Sequence, residues 1–448
     1  MKLRSKLAVK MAKATSYLIK KLNRGSGVTL PGYVARIIDP GILTTMASMV
    51  KKKTIVTMGT NGKTTTNSIL YHALKAEGNK VIINRTGANM LNGIISAFVL
   101  KTEKDCTLNA DYACIEVDEI ASVRVLPFLK PDCALVTNIS RDQLDRFGEV
   151  DITLNKLKTA VASVPDTALI INCDDVLSYT LAKEGKNPFI TYGISEQIFD
   201  DISRSEIRES IFCRVCGQKL KYDFFHYGQL GMYHCPNCGL KRPEPEYTAA
   251  DIQLKDEVYS FEIDGMRIQS TARTPYNIYN TLSAYSALKA LKALVPHFLQ
   301  TVEGFDYGNN RESIYQIGGA RVQLHLAKNP IGFQQKISLV LKDEKPKDII
   351  IQINDTYQDG EDVSWLWDVD FQYLAHANAA SITTTGTRRH DMGLRLKYED
   401  IDCGFTTDLR STIIDLIQNG TRNLYVIVNY SGLYSTNHLL TELSSAHK

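Results

Sequence analysis

Short apolar runs alternate with amphipathic stretches along most of the sequence. From Lys51 onward, β-rich runs such as Thr54–Met58 and Ala134–Ile139 are separated by segments with helical spacing. Similar runs return in the last third of the chain, for example at Val322–Leu326. This alternation is typical of βα units that build a parallel sheet. The pattern predicts an α/β protein with two halves, divided near residues 300–315.

The first 24 residues have a different pattern, with eight lysines and arginines and no acidic residue. Their larger apolar side chains fall near helical spacing, at Leu3, Leu7, Met11, Leu18 and Leu22. A basic amphipathic helix can lie on an anionic membrane surface, or it can pack on its own domain with its lysines in solvent. We favour packing on the domain, because the apolar stripe lacks tryptophan and phenylalanine.

Composition narrows the class of protein further. The 448 residues are 44% hydrophobic and 23% charged, with a formal net charge of +3, which is usual for a globular chain. A disordered or fibrous protein is excluded, and no run of about 18 apolar residues predicts a membrane-spanning helix. Nine cysteines, an odd number, and the lack of a secretory apolar segment lead us to expect a reducing, cytoplasmic environment.

A glycine-containing loop is the clearest chemical signal. GTNGKTTT (Gly59–Thr66) leaves a β-rich run and enters a helical pattern. Gly59 and Gly62 let the backbone N–H groups approach phosphates, and the positive end of the following helix adds to the attraction. Lys63 can reach the β- and γ-phosphates, and the Thr64 hydroxyl can bind Mg²⁺. We predict that the nucleotide is bound by Gly59, Thr60, Asn61, Gly62, Lys63, Thr64 and Thr65.

Carboxylates follow two of the predicted strands. Glu116, Asp118 and Glu119 end one strand, and Asp142 follows another. Parallel sheets place ligands at the carboxyl ends of their strands, and Mg²⁺ prefers oxygen ligands. We predict Glu116 as the magnesium ligand, because its strand lies beside the phosphate loop. For Asp118 and Asp142 we retain the alternative of an ordinary loop acid.

Four of the cysteines form two CxxC pairs. CRVC supplies Cys213 and Cys216, and CPNC supplies Cys235 and Cys238 after eighteen intervening residues. Each pair is followed by a glycine, so two tight turns can present four thiolates to one Zn²⁺ ion with no open coordination position. We predict a structural zinc ribbon in an insert at residues 204–244. The alternative is four buried free thiols.

The phosphate loop resembles that of the Mur ligases and folylpolyglutamate synthases, which are ATP-dependent enzymes that form amide bonds. Further segments resemble this family in the same order along the chain, over roughly residues 40–448. They are TGANMLNGI (Thr86–Ile94), IEVDE (Ile115–Glu119), TNISRDQLDRFG (Thr137–Gly148), INCDD (Ile171–Asp175), TPYNIYNTLSA (Thr274–Ala284), LAKNP (Leu326–Pro330) and TTTGTRRHDMGLRLKY (Thr383–Tyr398).

The chain is most similar to the branch of this family that forms the ligase subunit of lipid II isoglutaminyl synthase. About 50 residues precede the phosphate loop, too few for a UDP-binding domain, and the four-cysteine insert and the stretch Asn354–Phe371 also favour this branch. The resemblance implies a basic helical segment (1–50), a central Mur ligase P-loop ATPase domain (51–300) and a Rossmann-like C-terminal Mur ligase domain (310–448).

The resemblance also implies a reaction. With ATP and Mg²⁺, the α-carboxylate of D-glutamate in lipid II becomes an acyl phosphate, and ammonia then displaces phosphate to give D-isoglutamine for peptidoglycan synthesis. Lys63 and Glu116 match catalytic positions. Arg311 resembles the family arginine near the γ-phosphate, and Asn277 and Asn280 resemble residues near the nucleotide base.

Ammonia needs a source, and no cysteine lies in a G-x-C-x-G turn. The resemblance implies a glutaminase partner of the GatD type in a heterodimer. Asp355 is our candidate for supporting the partner's Cys–His pair, with an Asx-turn that closes its strand as the alternative. A lipid-linked substrate would place the complex at the inner face of the cell membrane, and the insert does not favour nucleic acid.

One departure from the family weakens part of this interpretation. Gln143 stands where the family has a histidine that binds magnesium, which makes a second metal site doubtful. Two other functions also stay open. One is an amino-acid-adding ligase similar to the Mur ligases or folylpolyglutamate synthases, and the other is a non-catalytic nucleotide-binding module.

Overall fold

The structure is a computed structural model. It describes residues 1–22, 28–84, 88–141, 149–198, 210–255, 258–293, 296–307, 312–357 and 359–446. These residues form two compact units, the first mainly within residues 1–305 and the second from residue 306 onward. Each unit is built on its own mostly parallel sheet, so the predicted α/β class is confirmed.

The first unit contains a nine-stranded sheet in the order β11-β10-β9-β6-β5-β4-β1-β3-β2, and a separate two-stranded hairpin, β7-β8. Seven neighbouring strands of the large sheet are parallel, and only β10 and β11 at one edge are antiparallel. The strands are β1 (Val50–Met58), β2 (Val81–Ile83), β3 (Ala110–Glu116), β4 (Cys133–Val136), β5 (Ala168–Asn172), β6 (Phe189–Ile194), β7 (Lys221–Tyr227), β8 (Leu230–His234), β9 (Tyr247–Lys255), β10 (Val258–Ile263) and β11 (Met266–Gln269).

Helices cover this sheet and bury its central strands. Strands β3 and β4 are buried almost throughout, as expected for parallel strands covered on both faces. The helices are α1 (Leu3–Lys21), α2 (Leu30–Ile38), α3 (Ile42–Ala47), α4 (Lys63–Ala76), α5 (Leu91–Val99), α6 (Ser122–Leu129), α7 (Val150–Ala162), α8 (Val176–Glu184), α9 (Tyr276–Ala290) and α10 (Phe298–Glu303).

The second unit has a six-stranded sheet in the order β12-β13-β17-β14-β15-β16. Only β12 runs antiparallel to its neighbour, and the other pairs are parallel. The elements are β12 (Glu312–Ile317), β13 (Ala320–Leu326), α11 (Pro330–Lys342), β14 (Lys347–Gln352), two 3-10 turns (Ser364–Asp368 and Phe371–His376), β15 (Ala379–Thr385), α12 (Arg389–Lys397), β16 (Gly404–Phe405), α13 (Leu409–Gln418), β17 (Asn423–Val428) and α14 (Tyr430–Ala446).

Helix α1 packs on its own unit, but through a different face from the one that its leucines suggest. Its buried residues are small or β-branched: Ser5, Ala8, Val9, Ala12 and Ser16. The predicted apolar stripe is exposed, with Leu3, Leu7, Met11, Leu18 and Leu22 each at least 45% accessible. Small side chains allow close approach to α2, which outweighs the burial of larger leucines at this contact. Within the described residues, no helix is long and apolar enough to cross a bilayer.

Candidate active site

The loop from Gly59 to Gly62 joins β1 to the N-terminus of α4, as the motif predicts. Gly59 has φ 113° and Gly62 has φ 87°, values that favour glycine. A Cβ atom on Gly59 would lie 2.4 Å from Thr137 Oγ1, and one on Gly62 would lie 2.2 Å from Asn280 Oδ1. Both glycines are therefore required by backbone conformation and by close packing, and the turn leads directly into the positive end of a helix.

The end of β4 fixes this loop from the side. Asn138 Oδ1 accepts a hydrogen bond from the Asn61 N–H at 3.1 Å, and Thr137 Oγ1 donates to the Asn61 carbonyl at 2.7 Å. The Thr60 N–H donates to the Asn138 carbonyl at 2.8 Å. The Thr-Asn pair that resembled the family thus holds the loop in shape, a role that its position after a strand did not reveal.

Lys63 is the first residue of α4, and only 8% of its surface is accessible. Its Nζ donates to Glu119 Oε1 at 2.7 Å, to the Thr60 carbonyl at 3.2 Å and to the Gly59 carbonyl. The loop therefore holds a buried ammonium group where the motif predicts the phosphates. The partnership with Glu119 was not predicted, although Glu119 belongs to the acidic group at the end of β3.

Glu119 is 3% accessible, and this burial raises the pKa of its carboxyl group above the ordinary value. The positive charge of Lys63 opposes that shift in pKa, and Asp118 adds to it. Either charge of the Lys63–Glu119 pair would be costly at this depth without the other. The pair therefore places the Lys63 ammonium group within the loop, with its positive charge balanced by the Glu119 carboxylate.

Thr64 and Glu116 form a second polar group beside the first. Thr64 Oγ1 donates to Glu116 Oε2 at 2.8 Å, and Asn89 Nδ2 lies 3.3 Å from Glu116 Oε1. A hydroxyl and a buried carboxylate side by side are hard oxygen ligands of the kind that Mg²⁺ binds. Asp118 instead accepts from the N–H groups of Ile120 and Ala121, just before α6, which fits the ordinary loop role retained for it.

Helix α9 lies against α4 and brings both predicted asparagines to this region. Asn280 Nδ2 donates to Asn277 Oδ1 at 2.9 Å, and Thr66 Oγ1 lies 3.4 Å from Asn280 Oδ1. Both asparagines are almost fully buried. Their contact with the loop is observed, whereas a contact with a nucleotide base stays a prediction. Arg311, Asp142 and Gln143 lie outside the described residues.

The β7-β8 hairpin of the insert reaches polar groups just beyond the ends of β4 and β5. Gln229, between its strands, donates through Nε2 to the Ile139 carbonyl and, at 3.1 Å, to Asp175 Oδ1. Asp175 Oδ2 in turn accepts from the Ile139 N–H at 2.7 Å. Burial raises the pKa of the Asp175 carboxyl group, and several hydrogen bonds oppose that rise. The insert is thus part of the support of the β4 end, which spacing alone could not indicate.

The buried aspartate before Asp175 is bound by the same insert. Arg242, 4% accessible, donates to Asp174 Oδ1 at 2.6 Å. Tyr279 of α9 donates to Asp174 Oδ2, and His226 of β7 bonds the Tyr279 hydroxyl. Arg242 and His226 were missed at the sequence level, because nothing local to them signals a partner far along the chain.

The four cysteines of the insert come together as predicted. Their sulfur atoms all lie within 4.8 Å of one another, with 3.4 Å between Cys213 and Cys238 and 3.5 Å between Cys216 and Cys235. Four thiolates around Zn²⁺ at about 2.3 Å would be separated by similar distances. Gly217 and Gly239 both have φ 75°, which allows the two turns. The cluster is therefore compatible with a tetrahedral zinc site.

Asp355 lies just beyond the carboxyl end of β14 in the second unit. Thr387 Oγ1 donates to Asp355 Oδ1 at 2.7 Å, and Arg388 Nη1 donates to Oδ2 at 3.3 Å. The hydrogen bond from Thr387, followed by the contact with Arg388, lowers the pKa of the Asp355 carboxyl group. The carboxylate thus joins the ends of β14 and β15 and stays partly exposed.

The two tryptophans near Asp355 have different environments. Trp365 is core, at 3% accessible, whereas Trp367 is 48% accessible. The Arg395 guanidinium lies 5.3 Å from the Trp367 ring centroid, and Tyr398 makes an edge contact with the same ring. Trp365 therefore belongs to the core of the second unit, whereas Trp367 is a surface residue.

Comparisons with known proteins agree with this architecture. The family described as "Mur ligase middle domain" matches residues 56–240, and "MurT ligase C-terminal" matches residues 326–433. The chain is similar to subunit MurT of the glutamine-hydrolysing lipid II isoglutaminyl synthase from Staphylococcus aureus (strain COL), with 34% identity over 401 residues, 88% of this chain and 87% of that protein. The subunit of the same name from Streptococcus pneumoniae (strain ATCC BAA-255 / R6) is 30% identical, and the match covers 100% of this chain and 99% of that protein.

Solved structures share the fold at lower identity. A pseudomurein peptide ligase type C from Methanothermus fervidus has a TM-score of 0.67 at 20% identity, covering 88% of this chain and 79% of that one. MurF from Acinetobacter baumannii has a TM-score of 0.65 at 15% identity, covering 92% and 80%.

The fold and the loop define a Mur ligase, an ATP-dependent ligase of peptidoglycan synthesis. Within that class, the chain belongs to the MurT family.

Proposed function

We propose that this chain activates the α-carboxylate of D-glutamate in lipid II with ATP and converts it to the amide, D-isoglutamine. The observation that carries the proposal is the buried Lys63–Glu119 pair, which lies in a glycine loop beside the Thr64–Glu116 pair. Similarity to MurT subunits from two organisms supports the choice of substrate.

The loop residues 59–65 bind the phosphates in this proposal. Their N–H groups and the N-terminus of α4 point at anionic oxygens, and Lys63 places its charge where the transferred γ-phosphoryl group becomes more negative. Thr64 and Glu116 hold Mg²⁺, which when bound neutralises charge on the phosphates. Asn277 and Asn280 lie toward the base, and Arg311 is assigned near the γ-phosphate from the family resemblance alone.

The chemical step then needs little covalent participation by the protein. A carboxylate oxygen of the substrate attacks the γ-phosphorus, ADP leaves, and an acyl phosphate forms. Ammonia attacks the acyl carbon, the C–O bond to phosphate breaks, and a proton leaves the nitrogen as the amide forms. Positioning and charge stabilisation are the tasks of Lys63 and its neighbours.

We assign the supply of ammonia to a glutaminase subunit in a heterodimer. The MurT relatives are named as subunits of a glutamine-hydrolysing enzyme. Asp355 is offered as the residue that supports the partner's Cys–His pair, because its carboxylate is partly exposed and is held by Thr387 and Arg388. Exposed Trp367, Leu394 and Tyr398 lie in the same unit and supply apolar area for such a partner.

The cysteine cluster is assigned as a structural Zn²⁺ site. Four thiolates leave no coordination position for a substrate, so the ion would stabilise the insert and take no part in the reaction. Through Gln229, that insert contacts Asp175 and Ile139, and Ile139 directly follows the Thr137–Asn138 pair that holds the phosphate loop.

An amidation assay tests the proposal. The purified chain is incubated with lipid II, ATP, Mg²⁺ and ammonium chloride, and the product is analysed by mass spectrometry. Conversion of one carboxyl group to an amide, absent without ATP, is expected. If the reaction instead joins a supplied amino acid to the substrate carboxyl group and does not use ammonia, the chain is an amino-acid-adding ligase. Nucleotide binding with no turnover of either kind would indicate a non-catalytic module.

A further inference from the structure

The outer faces of α1 and α2 carry an apolar surface that the fold leaves without a partner among the described residues. Leu3 is 85% accessible and Tyr17 65%, and Leu7, Met11, Leu18 and Leu22 extend the same face of α1. At 3.6 residues per turn, all six side chains fall on one side of the helix. We call these six residues the α1 stripe.

The α1 stripe lies opposite the face that packs on the unit. Ser5, Ala8, Ala12 and Ser16 are buried on that packing face. The helix is further fixed by Arg4, which donates to the Ile38 carbonyl, and by Lys13, which donates to the Thr102 and Glu103 carbonyls. The helix cannot bury its leucines by rotating without losing these contacts, so the α1 stripe is presented outward by the fold.

Helix α2 adds to this exposed apolar area. It packs on α1 and α5, and a Cβ atom at Gly32 would lie 1.9 Å from the Asn92 carbonyl oxygen. Its outward side chains, Leu30, Tyr33 and Ile37, follow helical spacing and are 44–60% accessible. Two neighbouring helices thus expose apolar side chains, where a soluble surface helix normally presents polar ones.

The charges of this region indicate what covers it. Lys2, Lys6, Lys10, Lys20 and Lys21 are exposed, and residues 1–24 contain no acidic residue. The whole chain has a net charge of only +3, so its remainder is net negative. A second copy of the same basic face would bring like charges together. An anionic lipid surface offers both headgroup charge for the lysines and acyl chains for the leucines.

We propose that the α1 stripe and the outward face of α2 bind the surface of an anionic lipid bilayer, with α1 lying in the plane of the membrane. The apolar side chains enter the boundary between headgroups and acyl chains, and the lysines contact the headgroups. This surface is separate from the phosphate loop and would bring the ligase to a lipid-linked substrate.

Vesicle co-sedimentation of the full chain tests this proposal without any need for turnover. Vesicles of phosphatidylcholine with phosphatidylglycerol are compared with vesicles of phosphatidylcholine alone, at low and high salt. We expect binding to the anionic vesicles at least about tenfold tighter than to the neutral ones, and weaker at high salt. Equal binding to both, or no binding to anionic vesicles, would overturn the proposal, whatever the amidation assay shows.

Substitutions locate the surface. Leu7→Gln with Leu18→Gln keeps good helix formers and should weaken binding by about tenfold or more. The matched control is Leu254→Gln with Ile152→Gln, two apolar residues of similar exposure elsewhere in the first unit, which should bind as the wild type. Because the exchanged residues are exposed, unchanged thermal unfolding is expected for both. Equal binding by all three proteins, or a stripe variant that loses dimerisation or glutaminase binding in place of vesicle binding, contradicts the assignment.

Discussion

The phosphate loop and the Asp355 region each pair a carboxylate with a cation near the carboxyl ends of parallel strands, yet the surroundings differ. The side chains of Lys63 and Glu119 are 10% and 3% accessible, whereas those of Arg388 and Asp355 are 32% and 31% accessible. The Lys63–Glu119 pair is enclosed by this chain alone. The second remains open to solvent, as expected for a carboxylate that a partner protein would cover.

This difference in burial sets the energetic role of each pair. Removing one member of a buried ion pair leaves an uncompensated charge and typically costs about 3–5 kcal/mol of folding free energy. An exposed pair contributes only about 0–1 kcal/mol. The loop pair should therefore matter to folding as well as to the proposed chemistry. The Asp355 pair should affect folding only weakly, and its proposed role is in contact with another subunit.

The largest effect is expected from Lys63→Met. Loss of the ammonium group removes charge stabilisation at the transferred phosphoryl group, and ammonia-driven amidation should fall at least about a hundredfold. The variant should also unfold more easily, because Glu119 is left buried without its partner. The measurements are initial amidation rate and denaturant unfolding.

The double variant Lys63→Met with Glu119→Gln is the matched control. It removes both charges, so stability should largely return while activity stays lost. Recovery of activity in the double variant, or full activity in Lys63→Met, would contradict the assignment of the loop.

Removal of metal from the insert should have the next largest effect. Metal analysis should find about one zinc per chain, and Cys235→Ser should lower its occupancy and weaken ammonia-driven amidation through Gln229 and Ile139. Cys403→Ser, outside the cluster, is the control. A folded, fully active protein with no metal would refute the structural zinc site.

Asp355→Asn should separate the two regions of the molecule. Glutamine-driven amidation with the glutaminase partner should fall by about tenfold or more, while ammonia-driven amidation changes by less than about twofold. Asp391→Asn is the matched control, because Asp391 binds the same arginine, Arg388. Equal loss of both activities would instead place Asp355 in the ligase reaction.

The smallest effect is a difference in pH dependence between the two carboxyl groups. The pKa of Asp355 is lowered by folding, so its contribution to stability is present above its ordinary pKa of 3.8 and is lost as pH falls. The pKa of Glu119 is raised above 4.5, so the folded state loses stability as pH rises through that raised pKa. Thermal unfolding of Asp355→Asn and Glu119→Gln, each against wild type, should give pH trends of opposite sign, and trends of the same sign would contradict the assignment.

Features that depend on neighbouring residues in the sequence were predictable, whereas contacts between residues far apart in the sequence were not. The loop from Gly59 to Thr65 and the cysteine pairs carry their chemistry in local spacing, so fold class and cysteine clustering followed from sequence. The ion pair of Lys63 with Glu119 joins the start of α4 to the segment after β3, which meet because β1 and β3 are neighbours in the sheet. Gln229 reaches Asp175 from an insert, and such contacts have no local signature.

The N-terminal helix shows a second limit. Hydrophobicity favoured burial of Leu7 and Leu18, but close packing selected Ala8 and Ala12 because small side chains let two helices approach. A periodic pattern identifies that a helix has an apolar face, but it does not say whether that face meets the protein or a second surface.

The most direct test of the account follows an oxygen atom from substrate to phosphate. Lipid II labelled with oxygen-18 in the D-glutamate α-carboxylate is incubated with the chain, ATP, Mg²⁺ and ammonia, and the released phosphate is analysed by mass spectrometry. Activation as an acyl phosphate predicts one labelled oxygen in phosphate for each amide formed, and no transfer with Lys63→Met. Amide formation with unlabelled phosphate would contradict carboxyl activation at this loop.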